Sequence, residues 1–233
     1  MESSKKTRDD SLDGAAETTL RGSAIDAVVA AAIDDFRSGH FAPGQRLVEA
    51  DLVKRYGVGR GTIREAIRRL SGEGLVAVHP YRGASIRTLS DRELTNVLAI
   101  LEVLNGLAAR EAALRIGEGE NRARFAAAFE RLRDAGARGS FYDAVREREA
   151  FFDVISDIAD NRELDWVLPK LQILIARVQV PDIMPHERRY EDYAVIADAI
   201  LAGDAEFAEH AARRHIRHAI ARVRHGAERR GTF

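Results

Sequence analysis

Between Leu47 and Ile86 two short helical patterns are set close together, broken by Tyr56-Gly57-Val58-Gly59 and followed by two apolar runs around a Pro-Tyr-Arg-Gly tip. In the first pattern Leu47, Leu52 and Val53 point inward, and in the second Ile63, Ile67 and Leu70 recur at helical spacing. Two helices joined by a glycine turn, then a small hairpin, spell a winged helix-turn-helix. Arg60, Arg64 and Arg68 recur every four residues on the face opposite the buried stripe. A recognition helix needs that division, because apolar residues seat it on its scaffold while its polar face reaches base edges and phosphates.

The charge balance sharpens the reading once it is divided along the chain. A net charge of -1 over 233 residues says little, but residues 21–88 hold 11 lysines and arginines against 7 acids, whereas residues 89–233 hold 22 against 25. Within the basic segment Lys54, Arg55, Arg60, Arg64, Arg68 and Arg69 crowd one short span, the footprint of a surface that meets phosphates. Basic helix faces are also common as plain solvated surface, and it is the turn and the wing that tip the balance. The chain has no cysteine, which removes disulfides, thiolate metal sites and a cysteine nucleophile. No run approaches membrane-spanning length and no secretory leader opens the chain, so no membrane partner and a cytoplasmic location are expected.

Residues 1–20 are polar and unpatterned and read as a disordered tail. A helix is expected from Ser23 to Ser38, carrying Ile25, Val28, Val29, Ala32, Ile33 and Phe36, with a turn at Phe41-Ala42-Pro43-Gly44. Leu75–Val78 and Ala84–Arg87 read as the hairpin strands, with the wing tip at His79–Gly83. From Ser90 the texture changes to long Ala- and Leu-rich helices, opened by a Ser90/Glu93 capping box. Helices are expected at 91–116, 121–136, 140–159, 161–178, 187–202 and 204–225, with Ser140, Asn161 and Asp204 as N-caps. The fold class is therefore mainly α: a winged helix-turn-helix over 21–88 with a small β-hairpin wing, then a C-terminal antiparallel all-helical bundle over 89–233.

The segment GVGRGTIREAIRRLSGEGLV, followed by PYRGASI, resembles the DNA-binding signature of the GntR family of bacterial transcription regulators, whose usual core is Ser-Arg-x-Pro-x-Arg-Glu-Ala. Here Gly59 stands for the capping serine and Thr62 for the proline, while both arginines remain. By resemblance Arg60, Thr62 and Arg64 contact operator DNA, Arg68 continues their face, and Tyr81, Arg82 and Gly83 of the wing approach the minor groove or backbone. The second half resembles the helical effector domain, FCD, of the FadR branch. Leu101-Glu102, Phe151 ahead of Asn161, and the run from Tyr193 through Ile196, Ala199, Ile200, Gly203-Asp204 and Ala211 to His215-Ile216 carry that likeness.

Many members of this branch hold a divalent metal through an Asp-x-x-Phe-His pair and two later histidines. The corresponding positions here are Arg148, Phe152, Tyr193 and His215, so three of the four ligands are replaced. A phenyl ring cannot coordinate, and a guanidinium places a fixed cation where a metal needs a carboxylate. The expectation is a pocket with no metal and no cofactor. In it Arg148 binds a small carboxylate or phosphate effector through its planar fork, Tyr193, His215 and Asn105 add hydrogen bonds, Phe152 forms an apolar wall and Arg177 is a further candidate. Solvated helix surface for Arg148, a core role for His215 and surface packing for Tyr193 are the plainer readings. Two alternatives stay open: a metal held by a shifted pair, Glu149 and Asp153, and a helical-bundle metalloenzyme built from Glu102, Glu147, Glu149, Asp153 and His215. No nucleophile elbow, phosphate loop or zinc motif supports the second. The implied protein is a repressor that binds an inverted-repeat operator in double-stranded DNA as a homodimer.

Overall fold

The computed structural model describes residues 6–138, 141–176 and 186–230, with side chains in the first helix described from Gly22 onward. The chain divides into two units, residues 1–88 and 89–233.

In the first unit, α1 (Lys6–Ser38) lays Ile25, Val28, Ala32 and Phe36 on α3 (Arg60–Gly72), whose Ile63, Ala66, Ile67 and Leu70 face inward. Helix α2 (Glu49–Tyr56) ends where Gly57 adopts φ +66°, a left-handed conformation that glycine enters without a Cβ penalty. Leu47, Leu52, Leu75, Val76 and Ile86 close the core from the remaining elements. The helix begins at Lys6 rather than near Ser23, so helical backbone runs back through most of the stretch read as a disordered tail. No proline interrupts that stretch, and Ala15, Ala16 and Leu20 are good helix formers.

The hairpin of β2 (Val76–His79) and β3 (Gly83–Ile86) gains a third strand, β1 (Arg46–Leu47), in the order β1-β3-β2, antiparallel throughout. Ala77 faces Ser85 and Leu47 faces Ala84, which seats the wing's inner face on the helical core. A two-residue strand is too short to show an alternation, and pattern reading of residues 46–47 saw only helix-turn-helix.

The second unit is all helical: α4 (Asp91–Arg115), α5 (Asn121–Arg138), α6 (Phe141–Ala159), α7 (Arg162–Ala176), α8 (His186–Ala202) and α9 (Ala205–Arg230). Ser90 caps α4 through a reciprocal box with Glu93. The Asn161 carboxamide oxygen accepts from the Glu163 and Leu164 amides, and Asp204 Oδ1 accepts from the Phe207 amide at 3.0 Å. Ser140 lies outside the described residues. Helix α4 packs against α6, α7, α8 and α9, so it forms the axis of the bundle. Around it Leu101, Phe125, Leu132, Phe151, Ile155, Tyr193, Ile196 and Ile200 make one core, and Leu94, Leu98, Ile216 and Val223 continue it at one end.

Candidate functional site

The first unit presents α3 as its outer basic element. Arg60 opens the helix, is exposed, and makes no ion pair among the described residues. Gly59 occupies the N-cap without a side-chain hydrogen bond, so the first amides of α3 are left to other acceptors, such as a phosphate. One turn on, Arg64 Nε donates to both carboxylate oxygens of Glu49 at 3.0 Å. That contact ties the guanidinium to α2 by one edge and leaves both terminal nitrogens for a partner. Arg68 is exposed and pairs with Glu65 at 2.9 Å, while Thr62 is half-buried. At the wing tip Tyr81 is fully exposed with φ +63°, and Gly83 has φ +82°. The tyrosine backbone carries strain of about 1–3 kcal/mol and its ring packs on nothing, so the hairpin holds an aromatic out in solvent.

The basic cluster is smaller than its sequence count. Arg55 is bonded to Asp35, which also accepts from Tyr56 at 2.7 Å, and Arg69 pairs with Asp26. Burial alone pushes the Asp35 carboxyl up, but hydrogen bonds from Arg55 and Tyr56 outweigh it and hold it below the usual carboxylate range. These two arginines fasten α2 and α3 to α1 and are not free for phosphates. Arg60, Arg64 and Arg68, with Arg82 of the wing, remain on the outward surface.

In the second unit three of the four positions taken from the family pattern converge. The Phe152 ring stacks on His215 with centroids 6.1 Å apart, Tyr193 lies 4.9 Å from His215, and Phe152 and Tyr193 are 6.0 Å apart, edge to face. Tyr193 is 1% exposed and His215 7%, so surface packing is excluded for Tyr193. Arg148 precedes Phe152 by one turn on α6, which places both on one face. It is not solvated surface: its side chain is 18% exposed against 71% for Arg146, and its buried Nε has no hydrogen-bond partner among the described residues. Among the described residues its nearest acid is Glu149 at 3.9 Å. Asn105 is buried on the inner side of α4, and Arg177 lies outside the described residues.

The group that pattern reading missed is Asp192. It is 5% exposed, and one of its oxygens, Oδ2, meets His215 Nδ1 at 3.3 Å and His218 Nδ1 at 2.9 Å. His218 is thereby half-covered and paired. Burial pushes the Asp192 carboxyl up, and the bonds to His215 and His218 more than reverse it, leaving it below its ordinary value. A depressed carboxyl contributes stability above its unfolded value near ~3.9, and that contribution is lost as pH falls through the lower folded value. Asp192→Asn should therefore lower unfolding stability at neutral pH by about 2 kcal/mol and flatten the acid limb below pH ~4, as read by urea titrations across pH. An unchanged acid limb would separate Asp192 from the stability of the domain.

These residues do not fit a divalent metal at the family's positions. Of Arg148, Phe152, Tyr193 and His215 only the histidine is an ordinary ligand, and its Nδ1 already faces Asp192. Among the described residues no three His, Cys, Asp or Glu side chains are grouped to hold a metal. The enzyme alternative meets a further obstacle, since Glu102 is committed to Arg213 and Arg217 and Glu147 to Arg131 and Arg146.

Comparison with known families decides what this pair of units is. Residues 24–86 match the model described as bacterial regulatory proteins, gntR family, and residues 96–218 match that of the FCD domain. The chain belongs to the GntR family, in the branch that carries an FCD domain. It is a transcription regulator and not an enzyme. This GntR regulator is 25% identical over 195 residues to the probable D-xylose utilization operon transcriptional repressor of Paenarthrobacter nicotinovorans, spanning 81% of the chain and 85% of the relative. It is 26% identical over 187 residues to the transcriptional repressor RspR of Escherichia coli K12, spanning 78% and 81%. Its fold is that of E. coli McbR/YncC, with a TM-score of 0.76 at 20% identity over 87% of this chain and 98% of that one. A GntR regulator from Rhodococcus sp. RHA1 gives 0.75 at 22% identity, with the same shares covered. Among the described residues no helix is long and apolar enough to cross a membrane.

Proposed function

We propose that this GntR regulator is a cytoplasmic homodimeric repressor whose affinity for an inverted-repeat operator is set by a small anion bound in the FCD domain without a metal. The DNA half of the reading is carried by α3, where Arg60 and Arg64 stand outward at the N-terminal end beside an exposed wing. Arg60, Thr62 and Arg64 read or flank base edges, Arg68 meets phosphate, and Tyr81, Arg82 and Gly83 touch the minor groove or backbone. A single head covers only a short site; two heads related by a two-fold axis double the contacts and select a palindrome. Repression is supported by the names of the two relatives above.

The effector half is carried by Arg148, a largely covered cation whose Nε has no hydrogen-bond partner among the described residues. A carboxylate or phosphate supplies the missing acceptors, with Tyr193, His215 and Asn105 as neutral partners and Phe152 as the wall; Arg177 is kept as a further contact. The effector acts by its differential affinity for the two spacings of the heads. Native mass spectrometry of freshly purified protein tests the core of this. A metal-free dimer, with or without an added organic mass, is the expected spectrum. One divalent metal per chain would restore the metal-dependent alternative around Glu149 and Asp153.

A further inference from the structure

Helices α4 and α9 pack side by side, and midway along their contact the arginines are neutralised within the chain. Arg110 pairs with Glu209 at 3.6 Å, Arg213 with Glu102 at 3.4 Å, and Arg217 with Glu102 at 2.8 Å. The pattern breaks where the start of α4 meets the last turns of α9. There Arg92, Thr95 and Asn96 from α4 and Arg224 and Glu228 from α9 line a groove of about 540 Å³. Arg92 and Arg224 are both exposed, and among the described residues neither makes an ion pair or a hydrogen bond. The acid at the groove, Glu228, lies 3.8 Å from His225 rather than on either arginine. Arg224 stands nine residues beyond His215 on α9, about 14 Å along the helix, and Arg92 stands thirteen residues before Asn105 on α4, about 20 Å. The groove is therefore separate from the pocket around Arg148.

We infer that this groove binds a small phosphate monoester, with its phosphate between Arg92 and Arg224. Two guanidiniums of like charge that border one space, with no carboxylate holding either, are compensated by an anion placed between them, and their planar forks supply paired donors to its oxygens. A phosphate monoester carries close to two negative charges at neutral pH on a single group with three acceptor oxygens, which two arginines match better than a lone carboxylate does. The volume falls in the range of small-molecule sites, and a bare phosphate fills only a small part of it, so the ligand has a body beyond its anion. No apolar side chain lines the groove among the described residues, so that body is polar. Its hydroxyls donate to Glu228 and pair with the Asn96 carboxamide, while Thr95 Oγ1, already donating to the Asp91 carbonyl at 2.8 Å, is left to accept. Arg148 takes no part in this site.

The test is equilibrium dialysis of the full chain against radiolabelled glycerol 3-phosphate, with Arg148→Ala as the parent so that the pocket around Arg148 contributes nothing. The parent is expected to bind one molecule per chain and to ignore glycerol, which lacks the anion. Adding Arg92→Ala and Arg224→Ala should weaken that binding at least about ten-fold, with unchanged helical circular dichroism because both side chains are exposed and unpaired among the described residues. A parent that binds no glycerol 3-phosphate at millimolar concentration, or a triple variant that binds it as the parent does, overturns the site. A random DNA duplex supplies the second arm, since backbone phosphate offers the same chemistry from another source. If Arg92→Ala/Arg224→Ala lowers duplex affinity and reduces its salt slope by about 2 while glycerol 3-phosphate binding is unchanged, the two arginines serve the DNA backbone and the small-molecule site is overturned. Unchanged duplex binding with lost glycerol 3-phosphate binding assigns the groove to the phosphate monoester.

Discussion

Arg60→Ala and Arg64→Ala should each erase the preference for operator over scrambled DNA while leaving the protein folded. Each bidentate arginine contact with a base contributes about 1–3 kcal/mol of discrimination, and a dimer makes it twice, so the loss compounds to roughly 30- to 10⁴-fold. Neither side chain is part of the core, since α3 is seated by Ile63, Ala66, Ile67 and Leu70. The Arg64 arm has an internal control in Glu49, which holds the guanidinium by its Nε. Glu49→Ala keeps the cation and removes an acid from the surface, so it should bind all DNA somewhat more tightly and discriminate less. Arg68→Ala should instead weaken every sequence alike and reduce the salt slope by about 1. Fluorescence anisotropy with operator and scrambled duplexes at two salt concentrations separates these cases. Full discrimination in Arg60→Ala or Arg64→Ala would move base readout away from α3.

How far the sequence reaches is clearest at the two helices of the reading head. Ile63, Ile67 and Leu70 fix the buried side of α3 because a 3.6-residue period admits one solution, and that places Arg60, Arg64 and Arg68 outside without further information. The same logic recovers the bundle, where Ser90, Asn161 and Asp204 mark helix starts by local chemistry. What a one-dimensional count cannot see is pairing at a distance. Asp35 and Asp26 meet Arg55 and Arg69 across 20 and 43 residues and withdraw part of the basic footprint into the scaffold, while Glu49, 15 residues from Arg64, holds that arginine by one edge and leaves it outward. Asp192 was hidden differently. It stands in a polar run, Glu191-Asp192-Tyr193, yet the stripe Ile196, Ala199, Ile200 extended back one turn lands on Asp192 and Tyr193, both buried. The convergence of Phe152, Tyr193 and His215 from α6, α8 and α9 left no trace in local periodicity and was reached through the family pattern alone.

Arg148→Ala should abolish the response to effector while leaving operator affinity in its absence within about two-fold. Among the described residues Arg148 is a covered cation whose buried Nε has no hydrogen-bond partner and whose nearest acid, Glu149, lies at 3.9 Å. Covered charge without close compensation destabilises a fold, so its removal should leave the melting temperature unchanged or raise it slightly. A purely structural arginine would do the opposite, which makes the sign of that change informative. Ligand binding supplies the contrasting readout: at a hundred-fold excess over Kd a bound anion stabilises the domain by about 2.7 kcal/mol. Thermal shift across a panel of mono- and dicarboxylates and sugar phosphates should therefore show hits for the wild type and none for Arg148→Ala. Arg148→Lys, which keeps the charge and loses the planar fork, should retain a reduced shift, because a compact ammonium attracts an anion without fixing its orientation. If Arg148→Ala responds to the panel as the wild type does, the anion is held elsewhere, and His215 with its Asp192 partner becomes the first place to look.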